Sequence, residues 1–201
     1  MLKLEIKPYT LQFKFNAKTS RGTLNERLVW FLKIRNSSGI EGVGEVAPIH
    51  RLSFEDIDLI PSELEKLQKE LLRYNTPRNN KAVLDLVDQL VDQSFSSIRM
   101  GLEMALLDLM REGEKAIFPA DLSKLLIPVN GLVWMGDRDF MEQQIRQKLE
   151  EGYQCIKLKI GSLDFQTELA IVKALRNISD DLVIRLDANG AFPTNEVLAK
   201  L

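Results

Sequence analysis

Two segments constrain this chain more than any others: "QCIKLKIG" at 154–161 and "DLVIRLDANG" at 181–190. Each alternates residue by residue, as a strand does. Residues two apart in a strand share a face. Lys157 and Lys159 therefore point one way, and Ile156, Leu158 and Ile160 the other. Arg185 and Asp187 likewise share a face, opposed by Ile184 and Leu186. Between the two segments, "DFQTELAIVKALR" reads as a helix. Upstream, "LIPVNGLVW" reads as a strand. Asp137 can cap a helix carrying Phe140, Met141, Ile145 and Leu149 that stops at Gly152, and Thr194 can cap a further helix. Strands and helices alternating at this pace build βαβ units and a parallel sheet. Such strands are buried on both faces and are ordinarily apolar. Two of the three here are not.

Residues 2–46 follow a different grammar. "LKLEIKPYTLQFKF" places Leu2, Leu4 and Ile6, then Leu11, Phe13 and Phe15, on a period of two. "RLVWFLKIR" is a second strand, "NSSG" a turn and "IEGVGEV" a third strand ended by Pro48. The segment 54–112 reads as helices. Leu64, Leu67 and Leu71 form one apolar stripe, and Ile98, Leu102, Leu106 and Leu109 another, both of which read as core packing. Strands followed by helices suggest an α+β domain. "EGEKAIFPADL" at 112–122 breaks the pattern. The expected organisation is an α+β domain at 1–115 and a parallel β/α domain at 116–201.

The charges then ask for a reason. Ligands bind at the C-terminal ends of strands in open α/β sheets and (β/α)8 barrels, and that is where these side chains lie. A structural salt-bridge cluster, with Asp187 neutralising a lysine, is one reading. Yet buried ions cost several kcal/mol each unless paired, and three cations against one carboxylate pair poorly. An excess of positive charge suits a site that receives an anionic substrate. Lysine ordinarily titrates near about 10.4, and a neighbouring cation and partial desolvation both favour its neutral amine. Asp187, at a strand end, is placed to hold a hard divalent cation such as Mg²⁺. A lysine base facing a carboxylate held by a metal suits proton removal α to that carboxylate.

Other classes recede. Lys+Arg of 27 against Asp+Glu of 29 gives a net charge of −2, which makes no case for nucleic acid or an anionic membrane. No apolar run reaches the roughly 18 residues of a membrane span, and the N-terminus does not read as a signal peptide, so the expected compartment is the cytoplasm. The single cysteine, Cys155, allows neither an internal disulfide nor a cysteine-based zinc site. His50 is the only histidine and reads as a solvated loop residue, and no G-x-S-x-G elbow is present. "SSGIEGVGE" lacks the last glycine and the helix of a dinucleotide site.

K-x-K on one strand followed by "RLDANGAF" on the next resembles the enolase superfamily in its muconate-lactonising subgroup, a superfamily that uses a Lys or His base with Mg²⁺. "GVGEVAP" at 42–48 resembles the close of the third strand in that family's N-terminal capping domain. "IPVNGLVW" and "GVGEVAPIHRLSFED" look most like the subgroup's dehydratase of menaquinone biosynthesis. The resemblance covers essentially the whole chain. It implies an α+β capping domain followed by the first part of a (β/α)8-type barrel, strands one to three. It implies Lys159 as the base, Lys157 holding the substrate carboxylate, and Asp187 as a ligand to Mg²⁺, with Mn²⁺ as a substitute. It also implies supporting roles for Arg185 and Asn189, and a small-molecule carboxylate, a succinyl-bearing cyclohexadiene, as substrate. The loop "KTSRGT" reads as a solvated hairpin, or as a capping loop in which Arg21 or Lys18 meets a second carboxylate.

The family's further metal carboxylates and second lysine belong to later strands of a barrel that takes roughly 250 residues. The expectation is therefore a part of a longer enzyme that alone has no appreciable dehydratase activity. Two rivals stand beside it. One is a dipeptide epimerase or N-acylamino-acid racemase on the same scaffold. The other is a non-catalytic paralogue acting as a binding module. Oligomeric state is not legible.

Overall fold

The computed structural model describes residues 1–19, 22–50, 52–113 and 126–200, apart from the side chains of Lys18 and Thr19. Two compact units emerge, one of residues 1–12 and 26–122, the other of residues 13–25 and 123–201. The interruption at "EGEKAIFPADL" falls mostly on 114–125, outside the described residues.

Three strands, β1 (Lys3–Thr19), β2 (Gly22–Arg35) and β3 (Glu41–Val46), form one sheet in that order. β2 and β3 run antiparallel, from Trp30 opposite Val46 to Arg35 opposite Glu41. The turn between them is built by Asn36, whose Oδ1 accepts the N–H groups of Ser38 and Ile40, each at 3.0 Å. Leu2 and Leu4 are buried, but Leu11, Phe13 and Phe15 are exposed. The two apolar sets differ in parity, even then odd, so they lie on opposite faces of one strand with Pro8 between them. Proline is tolerated there because β1 is an edge strand.

Helices α1 (Ile60–Leu71), α2 (Asn80–Leu90) and α3 (Ser96–Met110) complete the first unit. The stripes Leu64, Leu67, Leu71 and Ile98, Leu102, Leu106, Leu109 are buried with Leu32 and Ile34 of β2 in one core. Each such side chain contributes roughly 2 kcal/mol of burial. α3 lies directly on β3. A Cβ on Gly44 would stand 1.9 Å from the carbonyl oxygen of Gly101, and one on Gly42 2.2 Å from that of Ala105. The two backbones thus approach as closely as glycine permits.

In the second unit, β4 (Gly131–Val133), β5 (Cys155–Lys159) and β6 (Val183–Asp187) form a parallel sheet in the order β4-β5-β6. α4 (Arg138–Glu150) follows β4, α5 (Phe165–Arg176) follows β5, and the short α6 (Val197–Lys200) follows β6. α4 starts where expected, with Asp137 Oδ1 accepting the Phe140 N–H at 2.9 Å. Val133, Ile156 and Leu158 pack with Met141 and Ile145 of α4 and Ile171 and Leu175 of α5.

Two expectations are corrected. The strand read over 126–134 is confined to Gly131–Val133, with Leu126, Ile127 and Val129 exposed. Pro128 has no N–H to give a ladder. Thr194 does not cap α6. The Pro193 carbonyl instead accepts the N–H groups of Glu196 and Val197, and the helix begins at Val197. No helix among the described residues is long and apolar enough to cross a membrane.

Candidate active site

The ladder between β5 and β6 sets the site. It places Lys157 opposite Arg185 and Lys159 opposite Asp187. Ile156 and Leu158 are fully buried against α4 and α5. By strand alternation, the charged side chains leave from the face turned away from those helices.

Asp187 is the hub. Its Oδ2 accepts from Lys159 Nζ at 2.7 Å and from Lys157 Nζ at 2.9 Å. Its Oδ1 accepts the Asn189 N–H at 3.1 Å. Lys159 Nζ also donates to Asn189 Oδ1 at 2.7 Å. Asn189 adopts φ +47°, a left-handed conformation that asparagine tolerates better than most residues. Side-chain exposure is 18% for Lys159, 25% for Asp187 and 32% for Lys157, so the cluster is partly shielded yet reachable by a small molecule. The Lys159 ammonium first, and then that of Lys157, hold the Asp187 carboxyl well below the usual carboxylate range, against an opposing push from partial burial.

Four residues singled out in the sequence, Lys157, Lys159, Asp187 and Asn189, are thus brought together. Arg185 shares their face, but its guanidinium donates to Asn130 Oδ1 at 3.4 Å, joining β6 to the residue before β4. Arg21 and the side chain of Lys18 lie outside the described residues. His50 is exposed, in the first unit. Sequence reasoning missed the role of Asn130, which it read only as one residue of the strand over 126–134. It also missed Glu168, which looks from sequence like any acidic residue in a first helical turn.

Asp187 and Asn189 offer hard oxygen donors of the kind Mg²⁺ and Mn²⁺ take. Among the described residues there is no group of three His, Cys, Asp or Glu side chains that could hold a metal. The donors fit the ion in kind, and these residues supply one carboxylate of such a site. Two ammonium groups and a carboxylate within reach of one small molecule can bind an anion and exchange a proton with it.

Residues 140–200 match the family described as enolase C-terminal domain-like. An o-succinylbenzoate synthase of Desulfotalea psychrophila is 38% identical over 220 residues, covering 96% of this chain and 60% of that protein. The crystal structure of MenC from Desulfotalea psychrophila LSv54 superposes with a TM-score of 0.79 at 32% identity, covering 97% of this chain and 59% of that one. A hydrophobic dipeptide epimerase of Citrifermentans bemidjiense is 30% identical, covering 85% of this chain and 48% of that protein. A dipeptide epimerase from Cytophaga hutchinsonii, complexed with Mg and the dipeptide D-Ala-L-Val, shares the fold with a TM-score of 0.82 at 21% identity, covering 100% of this chain and 55% of that one. The chain therefore spans about half to three-fifths of the length of these relatives. The K-x-K and R-x-D strands, the order of the two sheets and these likenesses agree: the chain belongs to the enolase superfamily.

Proposed function

We propose that the protein abstracts a proton α to a substrate carboxylate, with Lys159 as the base, as an o-succinylbenzoate synthase. The observation that carries this reading is the convergence of Lys159 and Lys157 on Asp187 at 2.7 and 2.9 Å, on the sheet face turned from the helices. The 38% identity to a synthase supports the substrate class. On this reading residues 1–115 are the capping domain, and 116–201 carry the first three strands of a (β/α)8-type barrel.

Lys159 Nζ, as the free amine, takes the α-proton. The C–O bond to the ring hydroxyl then breaks, the Lys159 ammonium returns its proton to the departing oxygen, and water leaves a succinyl-bearing ring that is now aromatic. Lys157, two residues earlier on β5 and sharing Asp187, holds the substrate carboxylate as a hydrogen-bond donor and countercharge. Asn189 orients Lys159 through their hydrogen bond. Asp187 would hold Mg²⁺, and that ion would supply electrostatic stabilisation to the negative charge developing on the substrate carboxylate. Arg185 fixes the edge of the site through Asn130.

Dipeptide epimerisation is a second reading, favoured by the 30% identity to an epimerase. Both reactions share the first proton transfer and diverge after it, one losing water and the other returning a proton. The test uses the full-length protein with Mg²⁺ in D₂O. Loss of the cyclohexadienol absorbance identifies the synthase. Deuterium entering a dipeptide α-carbon without loss of water identifies the epimerase. Lys159→Ala should lower kcat by about 10³-fold, the scale of a lost general base. Full activity in that variant would overturn both readings.

A further inference from the structure

The loop that follows Lys159 holds a feature that the proposed chemistry does not use. Glu168, in the first turn of α5, is only 4% exposed. Its Oε1 accepts three successive backbone N–H groups, those of Gly161 at 2.7 Å, Ser162 at 3.0 Å and Leu163 at 3.1 Å. Its Oε2 is buried and has no hydrogen-bond partner among the described residues. Successive N–H groups of this kind form a concavity that receives an anion, and here the anion comes from the chain itself. Without this acceptor the three N–H groups would have to turn to water, and the half-buried turn would lose the group that fixes it. A carboxylate with one oxygen saturated and the other bare is costly in a structural role that a neutral side chain could fill.

The clamp acts close to the site. Ile160, next to Lys159, donates its N–H to the Asp187 carbonyl at 3.0 Å. Gly161 then turns at φ +96°, so near the following loop of β6 that a Cβ there would stand 2.3 Å from Ala191 Cβ. That loop carries Asn189, the hydrogen-bond partner of Lys159. Glu168 thus fixes the Gly161 turn, and the Gly161 turn abuts the Ala191 turn; Lys159 leads into the first and Asn189 into the second, and the two are hydrogen-bonded.

We infer that Glu168 is a positioning residue for Lys159, one whose buried carboxylate pins the exit of β5 and so holds the Lys159–Asn189 hydrogen bond in place. This deepens the proposed function, since it concerns the same lysine, but its test requires no turnover.

In Glu168→Ala, hydrogen–deuterium exchange read by mass spectrometry should rise at least tenfold at the Gly161, Ser162 and Leu163 amides. Competitive amine labelling of the native chain should then rise several-fold at Lys159 and stay within twofold at Lys157. Lys157 shares Asp187 but not the Asn189 turn. Glu168→Gln, which keeps an acceptor oxygen, should restore most of the protection at both places. Unchanged exchange at the three amides would overturn the clamp. Faster exchange there with equal labelling at the two lysines would leave Glu168 a purely structural residue and overturn the positioning role. Where loss of protection throughout β5 shows that Glu168→Ala has not folded, Glu168→Gln decides. Smaller rises of the same selective pattern support the inference, and a wild-type pattern at Lys159 despite exposed amides overturns it. Absence of α-proton chemistry in the full-length protein would remove the proposed function while leaving these readouts intact.

Discussion

The two three-stranded sheets of this chain use their faces differently. In the first unit, β3 gives its face to a helix, with Gly42 and Gly44 bringing its backbone against Gly101 and Ala105 of α3. Most charges there stay outside, in short-range pairs such as Lys81 with Asp85 at 2.7 Å, while Glu55, which lies on no strand, is buried and accepts the Ser97 N–H and hydroxyl. In the second unit, Ile156 and Leu158 of β5 pack under helices, while the alternate positions carry Lys157 and Lys159 to a carboxylate on the next strand. One sheet closes its space and the other keeps it for polar groups. A parallel strand that leaves apolar packing on one face loses burial worth roughly 2 kcal/mol per side chain, so charges at that position point to a use other than stability.

The largest effect that probes this contrast is expected in the first unit. Gly44→Val places a Cβ 1.9 Å from the Gly101 carbonyl oxygen and 2.9 Å from the Ala105 nitrogen. Both obstacles are backbone, so neither can rotate away and β3 must part from α3. Overpacking of flexible cores costs about 1–3 kcal/mol, and a clash with backbone belongs at or above the top of that range. Urea unfolding should show a midpoint lowered by the equivalent of about 3 kcal/mol, a large share of a typical 5–15 kcal/mol stability. A change below about 1 kcal/mol would mean that the sheet and helix do not approach as described.

Much of this contrast is legible in the sequence, for a reason that shows its limits. Alternation with a period of two fixes which side chains share a face. Lys157, Lys159, Arg185 and Asp187 could therefore be grouped before any coordinates, and the helical stripes at Leu64 and Ile98 could be assigned to a core. Parity says nothing about which partner a side chain selects. Arg185 shares the face but bonds to Asn130, a partner that parity does not pick out. Nor does alternation say which of two faces is covered: the switch of parity along β1 is visible in the sequence, but not that Leu2 and Leu4 are buried while Phe13 and Phe15 are exposed. Glu168 lay beyond sequence reasoning because burial of an acid depends on the path of the loop it binds. The cap at Asp164, whose Oδ1 accepts the Thr167 N–H at 3.0 Å, is a local signal for the start of α5 but not for the burial of Glu168.

A smaller effect is expected from the hub of the second unit. The Asp187 carboxyl is held below its ordinary 3.8 by Lys159 and Lys157. A depressed folded-state value means that the ionised carboxylate stabilises the fold fully above the ordinary value, and that this contribution is lost as pH falls through the lower one. Asp187→Asn should therefore lower stability by about 1 kcal/mol at neutral pH, the upper end for partly exposed pairs. The difference from wild type should hold level down to about pH 5 and close below about pH 4. Urea midpoints measured across that range test the sign. A gap that widens on acidification would show that the lysines are not bonded to this carboxylate.

The smallest effect sharpens the comparison from the other side. Asp85→Asn removes an ion pair of nearly the same length, 2.7 Å, between residues four apart on α2. Length is the same, but surroundings are not: Lys81 is 79% and Asp85 61% exposed. Water screens the attraction there, and two long side chains lose freedom to form the pair, so the expected change is under about 0.5 kcal/mol and independent of pH between 5 and 8. If Asp85→Asn proved as costly as Asp187→Asn, distance alone would set the value of a charge pair in this chain, and the shielding of the β5–β6 cluster would have no energetic consequence. A clear gap between the two variants would show that the partly shielded face of the paired strands β5 and β6 gives the Lys157–Asp187–Lys159 cluster its strength.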